Sequence, residues 1–139
     1  MTVKMSSFKV KTKGDADIKD ITEEVGRTIK ESKINNGIAC VFVPGSTAGI
    51  TTIEYEPGLL KDLPLAFERI APQNIEYAHH QTWGDWNGHA HVRSAFLGTS
   101  FSVPFTNGEL ILGTWQQIVL VDFDNRSRNR EIIVQIIGE

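Results

Sequence analysis

A single α+β domain, with one mixed β-sheet of about seven strands and helices packed against it, follows from three features of the chain. Its 139 residues, 40% hydrophobic and 22% charged, suffice for one proper core. No linker, repeat or low-complexity tract divides them, so one domain spans 1–139. Apolar runs of strand length alternate with stretches whose apolar residues recur at helical spacing, the mark of strands and helices sharing one core.

The elements follow in order. "SFKVKTKG" alternates Phe8, Val10 and Thr12 with lysines, as a half-buried strand near a sheet edge does. "DITEEVGRTIKESKINNG" sets Ile21, Val25 and Ile29 on one helical stripe, with Asp20 as cap, Glu23 completing a capping box and "NNG" as the stop. "IACVFVP" and "GITTIEYEP" read as two strands joined by the small, hydroxyl-rich loop "GSTAG". "PGLLKDLPLAFERIAP" lines up Leu59, Leu60, Leu63, Phe67 and Ile70; Pro57 suits a first helical turn, and Pro64 must kink or restart the helix.

Between Asn87, a good N-cap, and Gly98, a good stop, "GHAHVRSAFL" reads as a short helix. Asn107-Gly108 lies between apolar runs and predicts a tight hairpin, with Pro104 pointing to an edge or a bulge. "QQIVLVDFD" and "EIIVQIIG" are nearly continuous apolar runs, which predicts strands covered on both faces.

Charge and composition narrow the partners. A net charge of -3 and a pI near 5.8 offer no general field for a polyanion, so nucleic acid is not an expected partner. No apolar stretch has signal-peptide or membrane-span length, which predicts a soluble cytoplasmic protein with no membrane association. The single cysteine, Cys40, forbids a disulfide within the chain and reads as core filling.

The chemistry concentrates in "WGDWNGHAHVRSAFLG", residues 83–98. In a helix His89 and His91 project about 200° apart, so they are a poor chelating pair. His89 falls in the first turn, where free N–H groups favour an anion, and stands four residues before Arg93 on the same face. His79, His91 and a carboxylate such as Asp85 or Glu54 are ligand types suited to zinc or a similar ion, although their spacing matches no zinc signature. The same histidines equally serve as caps or hydrogen-bonding groups, and Trp83 and Trp86 as packing or interface anchors. "PGSTAGITT" offers Ser46, Thr47 and Thr51 hydroxyls, with Gly45 and Gly49 allowing close backbone approach to a phosphate; an ordinary turn reads equally well. In "NRSRNRE", Arg126, Arg128 and Arg130 share one side of an extended chain and could grip phosphate, or form a solvated or interface charge cluster.

Taken together, "GSTAGITTIE", "NGHAHVRSAFLGTSFSVPFTNGELILGTWQQIVLVDFD" and the arginine-rich tail closely resemble the YjbQ-like family, also described as the secondary thiamine-phosphate synthase family. "LGTWQQI", Leu112 to Ile118, is the most specific piece, and the resemblance runs from about Gly37 to the C-terminus. It implies a small α+β fold, a compact homotrimer with a polar site near the subunit boundaries, and weak thiamine-phosphate synthesis. That reaction joins a hydroxymethylpyrimidine diphosphate to a thiazole phosphate and releases pyrophosphate. It calls for anion clamps and usually a divalent cation, zinc or magnesium.

Carried over by position, the family's motif residues fall on His79, Asn87-Gly88, His91 and Glu54, which makes His91 a better candidate than His89. Gly45 stands where relatives often carry a histidine, which puts one functional group in doubt. The implied site holds a small phosphorylated molecule at Ser46, Thr47, Asn87, Gly88, Arg126 and Arg128. His79 and His91, with Glu54 or Asp85, carry a metal or a proton. Two further readings use the same residues: a non-catalytic trimer that binds a metal or phosphometabolite, and a metal-dependent phosphate-ester hydrolase.

Overall fold

The computed structural model describes all 139 residues. They form eight strands and four helices: β1 Thr2–Thr12, β2 Asp17–Asp20, α1 Thr22–Ser32, β3 Gly37–Phe42, β4 Ala48–Ile53, α2 Pro57–Ile70, α3 Ala78–Trp83, α4 Gly88–Leu97, β5 Ser100–Thr106, β6 Glu109–Leu110, β7 Gln117–Asp122 and β8 Arg128–Gly138. The α+β single-domain expectation holds. In place of one mixed sheet of about seven strands there are two sheets, ordered β1-β8-β3-β5-β6 and β2-β7-β4, and every pairing is antiparallel. Antiparallel neighbours require no helical crossover, so α1 is free to join the core between the sheets while α2 and α4 cover the other face of the smaller sheet.

Alternation along the strands builds three layers. Ala39, Val41, Val103, Phe105, Ile132, Val134 and Ile136 of the larger sheet face Ile50, Ile118 and Leu120 of the smaller one, with α1 adding Val25 and Ile29. The opposite face of the smaller sheet carries Ile18, Val119, Val121 and, just past β7, Phe123, which pack with Phe67 of α2 and Ala90 of α4. Strand β7 is therefore apolar on both faces, as its unbroken run predicts. Strand β8 departs from that expectation. Its inward residues are buried, but Ile137 is 44% exposed, because no helix covers the outer side of the larger sheet.

Local signals are obeyed with small displacements. β1 is an edge strand. Asn107 and Gly108 both have positive φ, the requirement of a tight primed hairpin turn between β5 and the two-residue β6. Pro57 opens α2, whose N-terminal N–H groups at Gly58 and Leu59 are accepted by the Glu56 carboxylate, and the helix runs on through Pro64. Asp20 accepts the N–H of Thr22, but the backbone cap is Ile21. The helix ends at left-handed Lys33, before "NNG", so that Ile34 can enter the core. Cys40 sits half-buried on the outer face of β3, because the core-facing stripe of that strand is Ala39 and Val41. No helix is long and apolar enough to cross a membrane.

Leu120, fully buried between the sheets, has no way to relax into solvent. Leu120→Ala is expected to cost about 3 kcal/mol, read from the denaturant midpoint; a loss below about 1 kcal/mol would contradict the two-sheet core.

Candidate functional site

The core-facing stripes of β7 and β8 both end in charge. Beyond Ile118 and Leu120 the stripe of β7 continues to Asp122 and Asp124, both fully buried, and that of β8 begins with Arg128 and Arg130 before Ile132. Arg130 donates from Nε to Asp122 at 2.7 Å and from Nη2 at 2.9 Å, a bidentate pair, and the Thr12 hydroxyl donates to the same carboxylate. Arg128 donates from Nε and Nη2 to one Asp124 oxygen, at 2.9 and 2.7 Å.

Asp124 also accepts the N–H of Asn125, the Asn87 amide at 3.2 Å and the Thr47 hydroxyl at 3.2 Å, and Arg130 Nη2 donates to that same hydroxyl. Burial by itself would raise the Asp124 pKa. The Arg128 hydrogen bonds, the Asn125 N–H, the Asn87 amide and the Arg128 charge outweigh it and hold the carboxyl at about 2.

This network fixes two segments. Thr47 anchors the 44–47 loop at the start of β4, leaving Ser46 exposed. Asn87 is the backbone N-cap of α4 as predicted, yet its side chain reaches Asp124 instead of the helix N–H groups. Gly88 lets the start of α4 press against α3, since a Cβ there would stand 2.6 Å from the Tyr77 Cβ. The Gly88 N–H donates to His80 Nε2 at 3.4 Å, which places the proton of a neutral His80 on Nδ1.

α3, a six-residue helix with no apolar period to announce it, brings His79 to α4. The rings of His79 and His91 lie 4.2 Å apart between centroids, tilted by 36°, and His79 Nδ1 stands 3.7 Å from Asp85 Oδ1. Burial first, and the neighbouring His79 second, lower the His91 pKa, so its imidazole is neutral near pH 7. Beside it opens a pocket of about 340 Å³ lined by Gly45, Ser46, His91, Ser94, Ala95, Gly98 and Thr99.

Five of the six buried side-chain polar atoms without a hydrogen-bond partner lie between residues 79 and 89: His79 Nδ1, His80 Nδ1, Asn87 Oδ1 and both nitrogens of His89. Native proteins leave few such groups, and here they concentrate in one corner of the fold.

Not every candidate converges. His91, His79, Asp85, Asn87, Gly88, Ser46 and Thr47 gather around this corner, whereas Glu54 lies past the far end of β4, about 20 Å of strand away, beside Trp115 and Gln117. Arg128 is committed to Asp124, and Arg126 is exposed and makes no side-chain hydrogen bond or ion pair. His89 is 1% exposed, so it faces the core and offers nothing to an anion at the first turn; Arg93 is spent on the Ala71 carbonyl and Glu68. Asp122, Asp124 and Ser94 escaped the sequence reading, and Arg130, expected to grip phosphate or to join a charge cluster, is instead paired with Asp122. Two aspartates at the end of a buried strand, followed by arginines at the same two-residue spacing, were the signal for the two aspartates.

Asp124→Asn is expected to lower stability by about 2 kcal/mol, less than for a fully buried pair because Arg128 is 34% exposed. In the parent, the contribution of Asp124 is complete above its ordinary pKa of 3.8 and is lost as pH falls towards about 2, so acid unfolding of the variant should lose that step. His89 has the opposite chemistry. Burial, then the Arg93 charge, lower its pKa from the ordinary 6.5, so the unfolded chain binds the proton first and stability falls as pH drops below 6.5. Equilibrium unfolding at pH 7.5 and 5.5 should show that loss reduced in His89→Leu; an unchanged loss would refute the assignment.

The same architecture recurs in known proteins. Residues 6–139 match the family model described as UPF0047 protein YjbQ-like. A UPF0047 protein of Methanocaldococcus jannaschii is 35% identical over 133 residues, covering 95% of this chain and 93% of the relative. The UPF0047 protein YugU of Bacillus subtilis is 35% identical over 135 residues, covering 96% and 99%. Among solved structures, a YbjQ-like protein of unknown function from Sulfolobus solfataricus superposes with a TM-score of 0.88 at 34% identity, covering 99% of this chain and all of that one. A hypothetical protein from Aeropyrum pernix does so with 0.91 at 32% identity, covering 98% and 99%. Sequence and fold agree over nearly the whole length, and the chain belongs to the UPF0047 YjbQ-like family.

Proposed function

We infer that the pocket between the 44–47 loop and α4 binds a small phosphorylated metabolite and that the His79–His91 pair moves a proton on it. The observation that carries this reading is the pair itself: two facing imidazoles, one of them with a lowered pKa, beside a pocket supplied with hydroxyls and small residues. A neutral His91 is a base ready for use near pH 7, and the Asp85 carboxylate stands 3.7 Å from His79 Nδ1. Ser46 and the backbone at Gly45 offer hydrogen bonds to phosphate oxygens.

Within this class, the family resemblance favours a thiamine-phosphate synthase-like transfer, in which a pyrimidine diphosphate is joined to a thiazole phosphate with loss of pyrophosphate. A zinc or magnesium ion would take His79, His91 and Asp85 as donors. These do not close around a common point: no group of three or more His, Cys, Asp or Glu side chains in the chain is arranged to hold a metal ion. The proton steps are therefore assigned to the imidazoles alone.

One observation favours a second reading, a binding module without turnover. A leaving diphosphate needs free cations. Arg128 and Arg130 already face Asp124 and Asp122, and Arg126 makes no contact with the pocket.

Self-association into a homotrimer belongs to the same proposal. Val3, Ile137 and Ile38 form a continuous row across β1, β8 and β3, at 57%, 44% and 52% exposure, and Met5 extends the patch.

Calorimetric titration with inorganic pyrophosphate, alongside an assay of pyrophosphate release from the paired substrates, tests the site. The parent should bind, and His91→Ala and Ser46→Ala should each weaken binding about tenfold without lowering the melting temperature. Binding unaffected by both would end the proposal; binding without release would establish the module. Ile38→Asp should shift the light-scattering mass from trimer to monomer, and a monomeric parent would overturn the assembly.

A further inference from the structure

A second cavity, of about 570 Å³, is walled in part by Trp86 of the 84–87 loop and shares no lining residue with the pocket beside His91. Its walls are Gln73, Asn74, Ile75, Glu76, Trp86 and Asn125. The side chains of Gln73, Asn74 and Glu76 make no hydrogen bond within the protein, and Asn125 uses only its amide nitrogen, on the Asp85 carbonyl at 2.9 Å. Three carboxamides, each with donors and an acceptor, and one carboxylate are thus free to a ligand.

Trp86 supplies the platform. It is 59% exposed and has φ +58°, a left-handed conformation that a bulky aromatic adopts only when its surroundings impose it. Two restraints do so. One is the His80 ring, 4.5 Å away at 45°. The other is the next residue, Asn87, whose side chain is tied to Asp124. His80 is itself buried, 7% exposed, and locked to the Gly88 N–H through Nε2. One face of the indole is braced, and the ring is displayed rather than packed.

The lining selects the ligand. No cation faces the cavity and Glu76 does, so a phosphate or carboxylate is excluded by charge. An organic cation would satisfy Trp86 and Glu76 but leave the amide donors unpaired. A flat heteroaromatic base would want a second apolar wall, and only Ile75 is available. A sugar ring matches every part: its C–H face lies on a single exposed indole, and each hydroxyl both donates and accepts, as the carboxamides do. We propose that the Trp86 cavity is a binding site for a neutral pyranose sugar.

The proposal is independent of the reaction assigned to the histidine pair. It is tested by following the Trp86 indole N–H in two-dimensional NMR of the full chain while glucose, galactose, N-acetylglucosamine and their disaccharides are added. The expected result is a saturable shift with at least one of them. That binding should weaken about tenfold in Asn74→Ala, and about as much in Trp86→Ala when followed by saturation transfer from protein to sugar. Trp86→Phe, which keeps an aromatic face, should retain most of it, and the phosphate pocket should titrate as in the parent. No saturable shift with any sugar, binding that survives Trp86→Ala, or saturation by a nucleoside but not by a sugar would each overturn the proposal.

Discussion

Two fully buried carboxylates and two partly buried guanidinium groups, gathered where the sheets part, are the constraint on which the rest depends. Asp122 and Asp124 belong to the smaller sheet's central strand and its extension, while Arg128 and Arg130 belong to the larger sheet. Their pairing ties the two layers at the one end where no apolar side chain does. An unpaired charge here would cost several kcal/mol, so the four groups stand or fall as a unit. Thr12, Thr47, Asn87 and the Asn125 N–H satisfy the remaining lone pairs, which brings the first strand, the 44–47 loop and the start of α4 to the same point.

Function then sits at the edge of a rigid object. The 44–47 loop and the α4 N-terminus are held by the same Asp124, so the pocket between them has walls with little freedom to drift apart. Ser94 adds a hydrogen bond from α4 to the Ala48 carbonyl, and Arg93 joins α4 to α2 through Glu68 and the Ala71 carbonyl. Against this frame the unpartnered nitrogens of His79, His80 and His89 are conspicuous. Apart from these, only Asn87 Oδ1 and Glu24 Oε2 among the buried side-chain polar atoms lack a partner. The frame also explains why α3 can be so short: it need only carry two histidines to a surface already fixed.

Apolar coverage is uneven for the same architectural reason. All the packing available from α2 and α4 goes to the smaller sheet, so β7 is enclosed while the outer side of β8 and β3 keeps Ile137 and Ile38 in view. A strand's composition alone records that both faces are apolar, and is silent on whether the second cover comes from the same chain. That is why β7 and β8 looked alike as sequences and differ in the fold.

The sequence by itself determined the α+β class, the edge position of β1, the α1 stripe, the proline-led start of α2, the α4 boundaries at Asn87 and Gly98, and the Asn107-Gly108 hairpin. Each is a local preference of backbone or periodicity that neighbours in the chain suffice to express. It also singled out His79, His91, Asp85, Asn87 and the 44–47 loop as a set, through residue types and the resemblance to a family. What only the tertiary structure decided is which of these meet. The separation of Glu54 from the histidines, the inward turn of His89, and the commitment of Arg128 and Arg130 to Asp124 and Asp122 depend on strand register and on a helix's rotation about its axis. Short elements such as β2 and α3 likewise carry too few residues for a period and exist because the sheet and α4 give them something to pair with. Register and rotation are set by burying many apolar groups at once, a quantity no short stretch of sequence contains.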